Sequence, residues 1–428
     1  MKYLVAVLFI LAVVRSFYHL PHSSFDADEE YFAKSGKSIL SGNLTLIGQE
    51  TGVGALYHAP LFNYLIAFFL WIFHGNPLVV KGLGAAFAAI TVPAFFLIGR
   101  KLTSTTAAFF SSLLVLFSDS FLGLESFAPN ITPLTLLVLF FLLAAAHNCK
   151  SKFKSMILGA LVGLSAHFHI VGMMLIPSLV IINWRWLPVF LLFVSPLIFF
   201  DFRHNHLITN NALSFFANPG IGTPLIFRLN TYFLSLADHI NLGVSAGIFI
   251  PVAILALIWG LFTPRITRMI KIVLLLPLFF FLLYSKHLVP YYAIVSWTPF
   301  ILIFGVALEM IWEKRSIGKM VVLAYLGLFI YGNTISLFRW TAVRGINNKI
   351  AALEYIKKES GSRPIYISRT MERATNFGFD YLMDYVALVS TGNPNDPTYT
   401  LVVPADWQGI KPDKQFGDIG IVLPHEGK

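Results

Sequence analysis

Charged residues and cysteine are scarce in this chain of 428 residues. Asp, Glu, Lys and Arg together make up 12% of it, and Asp plus Glu number only 21. The single cysteine, Cys149, excludes an internal disulfide framework. No Walker loop or dinucleotide-binding glycine motif backed by a strand, turn and helix occurs, which excludes nucleotide-binding folds of these types.

Hydrophobic residues dominate the composition instead. They account for 57% of the chain, and the mean hydropathy is +0.73, which indicates an integral membrane protein. The formal net charge of +10 would suggest nucleic acid in a soluble chain. Here the Lys and Arg residues stand in short clusters between apolar runs, so they report membrane topology, and no nucleic-acid partner is expected.

Ten apolar runs are candidates for membrane spans. They are residues 4–19, 78–99, 105–122, 131–148, 155–183, 187–200, 243–262, 272–285, 291–312 and 320–338. The run at 155–183 is too long for one upright span and is interrupted at His167, Phe168 and His169. Splitting it predicts an all-α polytopic membrane protein with about 11 transmembrane helices.

The distribution of Lys and Arg predicts the orientation of these spans. With Lys2 inside, the basic clusters at 100–101, 150–154, 265–271 and 314–319 all fall in inner loops. The expected arrangement is a multi-pass protein of the cell membrane with a cytoplasmic amino terminus and an extracytoplasmic carboxyl terminus. The first run could instead be a signal peptide, but no small-residue cleavage pattern follows it, so a retained span is predicted.

Three outer segments, residues 20–77, 201–242 and 339–428, are too long to be simple connections. We predict a helix at the membrane surface over 28–40 and interfacial helices over 60–73 and within 225–240. Residues 348–359 have the pattern of an amphipathic helix, and 364–367, 400–403 and 420–423 read as strands. The predicted domains are therefore a membrane module, 1–338, and a small extracytoplasmic α/β domain, 339–428.

The first outer segment carries an unusual acidic patch. Asp26, Asp28, Glu29 and Glu30 place four carboxylates within five positions, next to a membrane span in a chain poor in acids. We interpret this patch as the catalytic corner of a membrane enzyme.

Several motifs resemble one enzyme family. The run Asp28-Glu29-Glu30-Tyr31-Phe32-Ala33-Lys34 follows the first span, Tyr57-His58-Ala59-Pro60-Leu61 comes next, and Lys286-His287 with Pro290-Tyr291-Tyr292 opens a later span. This order is similar to the GT-C glycosyltransferases of the group that contains protein O-mannosyltransferases and aminoarabinose transferases (PMT-like, family 39). Their second motif has Lys and a double Pro, where this chain has His58 before Ala59-Pro60.

The resemblance implies a reaction. Such enzymes transfer a sugar from a polyprenyl-phosphate donor to a glycan, lipid or protein acceptor, with inversion at the anomeric carbon. It points to Asp28 as the base that takes the acceptor proton and to Glu29 as a residue that orients a partner. Asp28 could instead be a helix cap, and Asp26 and Glu30 could be site residues or solvated surface.

The departing phosphate needs cationic or hydrogen-bonding groups at the outer face. The candidate substrate- and phosphate-binding residues are Asp26, His58, His167, His169, Arg203, Lys286, His287 and Tyr291. Lys286 and Arg203 could instead be snorkelling residues at helix ends. His167 and His169 could simply form a polar turn.

No cofactor is expected. Asp26-Ala27-Asp28 is the one pattern that leaves a divalent cation open. A second class of function is a transporter or flippase of lipid-linked saccharides, but the sequence shows no internal repeat or paired broken spans. A third is a membrane scaffold, which leaves the acidic patch and Lys286 unexplained.

Overall fold

The computed structural model describes residues 1–52, 56–121, 123, 128–147, 152–217, 222–284, 288–339, 345–372 and 378–424. The helices are α1 Lys2–Tyr18, α2 Ala27–Leu40, α3 Leu61–Ile72, α4 Leu78–Leu102, α5 Thr105–Phe117, α6 Pro133–Ala146, α7 Lys152–Phe168, α8 Ile176–Ile182, α9 Leu187–Arg203, α10 Leu207–Ala217, α11 Leu225–Ala237, α12 Ile250–Phe262, α13 Arg268–Leu283, α14 Ile294–Trp312, α15 Arg315–Arg339, α16 Ile346–Ser360 and α17 Asp380–Tyr385. The strands are β1 Tyr366–Met371, β2 Thr398–Val403, β3 Lys414–Phe416 and β4 Ile419–Val422. The predicted mostly helical fold with a small α/β part near the carboxyl end is confirmed.

Among the described residues, five helical segments are long and apolar enough to cross a membrane. They are Lys2–His22, Leu78–Leu102, Trp184–Arg203, Pro290–Trp312 and Arg315–Ser336. Shorter apolar helices include Thr105–Phe117, Pro133–Ala146 and Ala246–Phe262. The chain is therefore a membrane protein, and both the count of about eleven spans and the orientation of the termini stay predictions.

The chain divides into two compact units. The first contains Met1–Ser16, Thr45–Phe62 and Gly84–Arg339, and the second contains Phe17–Leu44, Asn63–Leu83 and Trp340–Lys428. The second unit thus joins the carboxyl-terminal segment to the segment that carries the acidic patch. The domain boundary at residue 339 stays a prediction.

Helix α14 is the centre of the first unit. Almost every residue from Ile294 to Val306 is buried, and the helix packs against α5, α6, α12, α13 and α15. The approach to α5 is close because Gly305 faces Ser111 and the Ala107 carbonyl, where a Cβ atom would overlap both. Small residues at such crossings let membrane helices pack backbone to backbone.

A buried arginine also stabilises the first unit. Arg15 of α1 donates to the carbonyl oxygens of Val115 and Leu116 at 2.8 and 2.7 Å, at the carboxyl end of α5. Those carbonyls have no partner within the helix, and the negative end of the helix dipole favours a cation there. Arg15 therefore caps α5.

The long apolar run 155–183 is interrupted where the sequence predicts. Helix α7 ends at Phe168, a 3₁₀ turn spans Ile170–Leu175, and α8 begins at Ile176. The Nδ1 atom of His169 accepts a hydrogen bond from the Val171 amide at 3.2 Å, which caps the 3₁₀ turn. A polar side chain at this position therefore has a local structural reason.

The second unit contains a sheet with the strand order β1-β2-β4-β3. Strands β1 and β2 are parallel, and β4 runs antiparallel to both β2 and β3. Helix α16 packs on β3 and β4, and Leu353, Ile356, Leu401 and Ile421 are buried between the layers. The three predicted strands are present as β1, β2 and β4, whereas the short β3 is not apparent from the sequence.

Candidate active site

The acidic patch forms the first turn of helix α2, and we call Asp26, Asp28, Glu29 and Glu30 the acidic turn. Asp26 precedes the helix as its N-cap residue, and the other three acids lie in the first turn. Carboxylates at this position are stabilised by the unpaired amides and the positive end of the helix dipole. The sequence therefore folds locally so that several acids are held in one turn.

Glu29 is the centre of a buried ion pair. Its Oε1 atom lies 2.5 Å from Nζ of Lys81, and the two side chains are 2% and 1% exposed. The Oε2 atom accepts from the Asp26 amide at 2.8 Å, the contact made by the third residue of a capping box. Burial raises the pKa of the Glu29 carboxyl, and the ammonium of Lys81 opposes this rise. These contacts hold the Glu29 carboxylate in place, and its orienting role stays a prediction.

Glu30 and Asp26 contact the carboxyl-terminal segment of the same unit. Glu30 accepts hydrogen bonds from the amides of Gly378 and Tyr381 at 3.0 and 2.9 Å. Asp26 pairs with Lys349 at 2.9 Å. Both acids therefore have partners that account for their presence, and the solvated-surface interpretation of Glu30 is wrong because its side chain is buried.

Asp28 differs from Glu29 and Glu30 in exposure. It is partly exposed, whereas the two glutamates are buried. A base that takes a proton from an incoming acceptor must be reachable. Asp28 meets this requirement by its exposure, and its role as the base stays a prediction.

Two lysines of this region are missed by sequence reasoning. Lys81 lies in the first turn of α4, inside a run that reads as a membrane span, and its charge there is a signal of function or pairing. Lys349 lies on α16, and the sequence pattern of that amphipathic helix suggests that this lysine is exposed to solvent. Both are almost fully buried.

A second polar cluster lies in the first unit. The rings of His58 and His169 are 4.5 Å apart, and Tyr291 and Tyr292 flank His169 at 5.8 and 6.3 Å between ring centroids. The amide of Ile170 donates to Nδ1 of His58 at 3.2 Å. The structure thus brings together three predicted phosphate-binding residues, His58, His169 and Tyr291.

His58 is held neutral. Burial lowers its pKa from 6.5 to about 4, and its Nδ1 atom must be unprotonated to accept from Ile170. A neutral imidazole keeps its proton on Nε2, so it can donate one hydrogen bond but supplies no positive charge. His58 therefore does not reproduce the charge of the lysine found at this motif in the family that the sequence resembles.

The low pKa of His58 predicts sensitivity to acid. The folded state binds a proton on His58 less readily than the unfolded state, so protonation favours unfolding. The free energy of unfolding is therefore highest above pH 6.5 and decreases as the pH falls towards 4. We expect about 2 kcal/mol of it to be lost between pH 7 and pH 5. In His58→Asn the amide oxygen can still accept from Ile170, so thermal unfolding of the variant should depend less steeply on pH. An unchanged pH dependence would contradict a buried neutral His58.

An apolar cavity of about 590 Å³ adjoins this cluster. Its wall includes Met173, Met174 and Phe280, with His169 and Tyr291 among its few polar residues. The volume and the apolar wall with few polar groups are typical of ligand pockets.

The remaining predicted site residues are placed as follows. His167 accepts from the Leu61 amide at 3.2 Å and donates to the Phe193 carbonyl at 2.8 Å, so both ring nitrogens are engaged and the polar-turn interpretation fits. Arg203 is the last residue of α9 and is exposed. Lys286 and His287 lie outside the described residues.

Within the described parts of the chain, no group of three or more His, Cys, Asp or Glu side chains could hold a metal ion. The expectation that no cofactor is needed stays a prediction.

Comparisons with known proteins agree with the resemblance. Residues 57–216 match the family model described as dolichyl-phosphate-mannose-protein mannosyltransferase. ArnT from Cupriavidus metallidurans bound to undecaprenyl phosphate shares the fold with a TM-score of 0.62 and 15% identity, over 99% of this chain and 98% of that one. No curated protein matches the sequence.

Two structures from Archaeoglobus fulgidus are also similar. An oligosaccharyltransferase complex with Zn and sulfate has a TM-score of 0.55 and 12% identity, covering 94% of this chain and 68% of that one. The oligosaccharyltransferase AglB in complex with an inhibitory peptide and a dolichol-phosphate has a TM-score of 0.53 and 12% identity, covering 95% and 70%.

The chain therefore has the fold of ArnT and of the archaeal oligosaccharyltransferases, and residues 57–216 match one mannosyltransferase family model. The predicted resemblance to the PMT-like group of GT-C glycosyltransferases is confirmed.

Proposed function

We propose that this chain is a membrane glycosyltransferase that moves a sugar from a polyprenyl-phosphate donor to an acceptor hydroxyl on the extracytoplasmic face. The observation that carries the proposal is the acidic turn, in a chain that shares its fold with ArnT over almost its whole length. In that turn Glu29 and Glu30 are buried in protein contacts, and Asp28 is partly exposed.

The proposed reaction is one displacement. The acceptor oxygen attacks the anomeric carbon while Asp28 takes its proton, and the bond between that carbon and the phosphate oxygen breaks with its electron pair leaving on the phosphate. Attack from the face opposite the leaving group inverts the anomeric configuration. Such a base contributes about 10²- to 10⁴-fold to the rate.

The cavity of the first unit suits the lipid part of the donor. The ArnT structure contains undecaprenyl phosphate, and the AglB structure contains a dolichol-phosphate. An apolar wall with Met173, Met174 and Phe280 matches an isoprenoid chain, and His169 and Tyr291 can donate hydrogen bonds to a phosphate. Lys286 and Arg203 are the proposed cationic partners of that phosphate, and His287 is a proposed hydrogen-bonding partner.

Filling the cavity should weaken donor binding. We expect Met173→Trp to raise the KM for a polyprenyl-phosphate sugar by about 10-fold, because the larger side chain occupies volume needed by the lipid. The matched control is Val180→Trp, in the adjoining helix α8, where the side chain is 67% exposed. An equal rise of KM in both variants would show that the cavity is not the donor site.

The activity itself is tested with the purified protein in lipid vesicles and a panel of radiolabelled polyprenyl-phosphate sugars, with and without a chelator. Donor consumption with release of polyprenyl phosphate supports the proposal, and loss of activity with chelator would show dependence on a metal ion. If no donor is consumed but lipid-linked saccharide crosses the bilayer, the protein is a flippase.

A further inference from the structure

We propose that Lys349, in the carboxyl-terminal segment, is a positioning residue that fixes the acidic turn and thereby the orientation of Asp28. The inference rests on the proposed function for the role of Asp28. It gives the carboxyl-terminal segment a part in catalysis.

Lys349 is 1% exposed although it carries a charge. Its Nζ atom donates to the Phe25 carbonyl at 2.6 Å and to Oδ1 of Asp26 at 2.9 Å, and lies 4.9 Å from the centre of the Phe379 ring. The first two contacts hold the Phe25 carbonyl and the Asp26 carboxylate. These two residues flank the peptide bond through which the chain enters α2. One ammonium group therefore fixes the position of the backbone two residues before Asp28.

The acidic turn is held from two sides. Lys349 contacts Phe25 and Asp26, and the Asp26 amide is bound by Glu29, which pairs with Lys81. Asp28 lies between the two residues that these lysines bind. Its backbone therefore has little freedom to rotate.

Other contacts of the same segment support this arrangement. The Ile346 amide donates to the Ser23 carbonyl at 2.9 Å. Gly378 has a positive φ of 84°, and a Cβ atom there would overlap the Phe25 carbonyl, so a glycine is needed at this crossing. The backbone of the carboxyl-terminal segment thus lies directly against residues 23–30.

Joining the carboxyl-terminal segment to α2 does not by itself require a buried lysine. The exposed pairs Lys34–Asp380 and Lys37–Asp384 already join α2 to α17, both at 2.8 Å. Burying a charge carries a desolvation penalty, and a well-packed apolar residue would give similar or better stability. What an apolar residue cannot do is hold a carbonyl and a carboxylate at fixed positions.

The test compares Lys349→Met with the control Lys37→Met in the full-length protein. We measure kcat and KM for a polyprenyl-phosphate sugar, and amide hydrogen exchange over residues 25–31. For Lys349→Met we expect kcat to fall about 10- to 100-fold, the size of effect that a misplacement of about 1 Å produces. KM should change little, and exchange over 25–31 should become faster, whereas Lys37→Met should behave as the wild type.

Lys349→Gln is the second variant, in case Lys349→Met fails to fold. Its side-chain amide can still donate one hydrogen bond to the Phe25 carbonyl. It should have a kcat between the wild type and Lys349→Met, or a clearly reduced kcat if the latter cannot be purified. Wild-type kcat and wild-type exchange in the folded Lys349 variants would overturn the inference. If the wild type consumes no donor, the proposed function fails, and unchanged exchange over 25–31 would then separately overturn the structural role.

Discussion

Replacing Asp28 by Asn should lower kcat for a polyprenyl-phosphate sugar by about 10²- to 10⁴-fold, while the protein stays folded. Asn has the same shape as Asp but cannot take a proton from the acceptor hydroxyl. Asp28 is partly exposed in the first turn of α2, and the loss of its charge–dipole interaction costs about 0.3–1 kcal/mol of stability. A large fall in kcat with a small change in thermal midpoint is the expected combination.

Asp406→Asn is the matched control for this variant. Asp406 is an exposed carboxylate in the carboxyl-terminal segment, and its replacement should leave kcat unchanged. If Asp28→Asn keeps wild-type turnover under the same conditions, the base is another residue and Asp28 is only part of the helix terminus.

Among the substitutions proposed for this protein, Lys81→Met should lower the free energy of unfolding the most. Lys81→Met leaves the carboxylate of Glu29 buried without its cation, and breaking a buried ion pair in this way costs about 3–5 kcal/mol. The pKa of Glu29 is already raised by burial, so without Lys81 the carboxyl should take up a proton more readily. A raised pKa means that the folded state gains relative stability as the pH falls, so the loss should be smaller at pH 5 than at pH 8.

The double variant Lys81→Met with Glu29→Leu distinguishes this explanation from a simple loss of packing. It removes both charges and should recover part of the lost thermal stability, because the Asp26 amide at the same time loses its Glu29 acceptor. Lys37→Met is the control, because its pair with Asp384 is exposed on both sides and contributes about 1 kcal/mol or less. A Lys81→Met protein as stable as the wild type would contradict a buried ion pair.

Local signals in the sequence predict much of the fold. Helix α2 is predicted from acids at its beginning and from Ser41-Gly42 at its end, and the structure ends the helix at Leu40. The interruption at His167–His169 is visible because polar residues divide a long apolar run. Strand β3 is missed because Lys414–Phe416 is short and mostly polar.

Long-range pairing is what the sequence does not show. The partners Lys81 and Glu29 are 52 positions apart, and Lys349 and Asp26 are 323 apart. A lysine near the end of an apolar run, or on an amphipathic helix, has the same local pattern whether it is solvated or buried. The sequence also does not show the charge state of His58, because that state depends on burial in a cluster with the distant residue His169.

The anomeric configuration of the product is the measurement that tests the central claim most directly. Purified wild-type protein in lipid is given a polyprenyl-phosphate sugar of known configuration, with Asp28→Asn in parallel. Inverted product from the wild type, and almost none from the variant, is the predicted result. Product of retained configuration, or an intact donor that has crossed the bilayer, would contradict an inverting glycosyltransferase that uses Asp28 as its base.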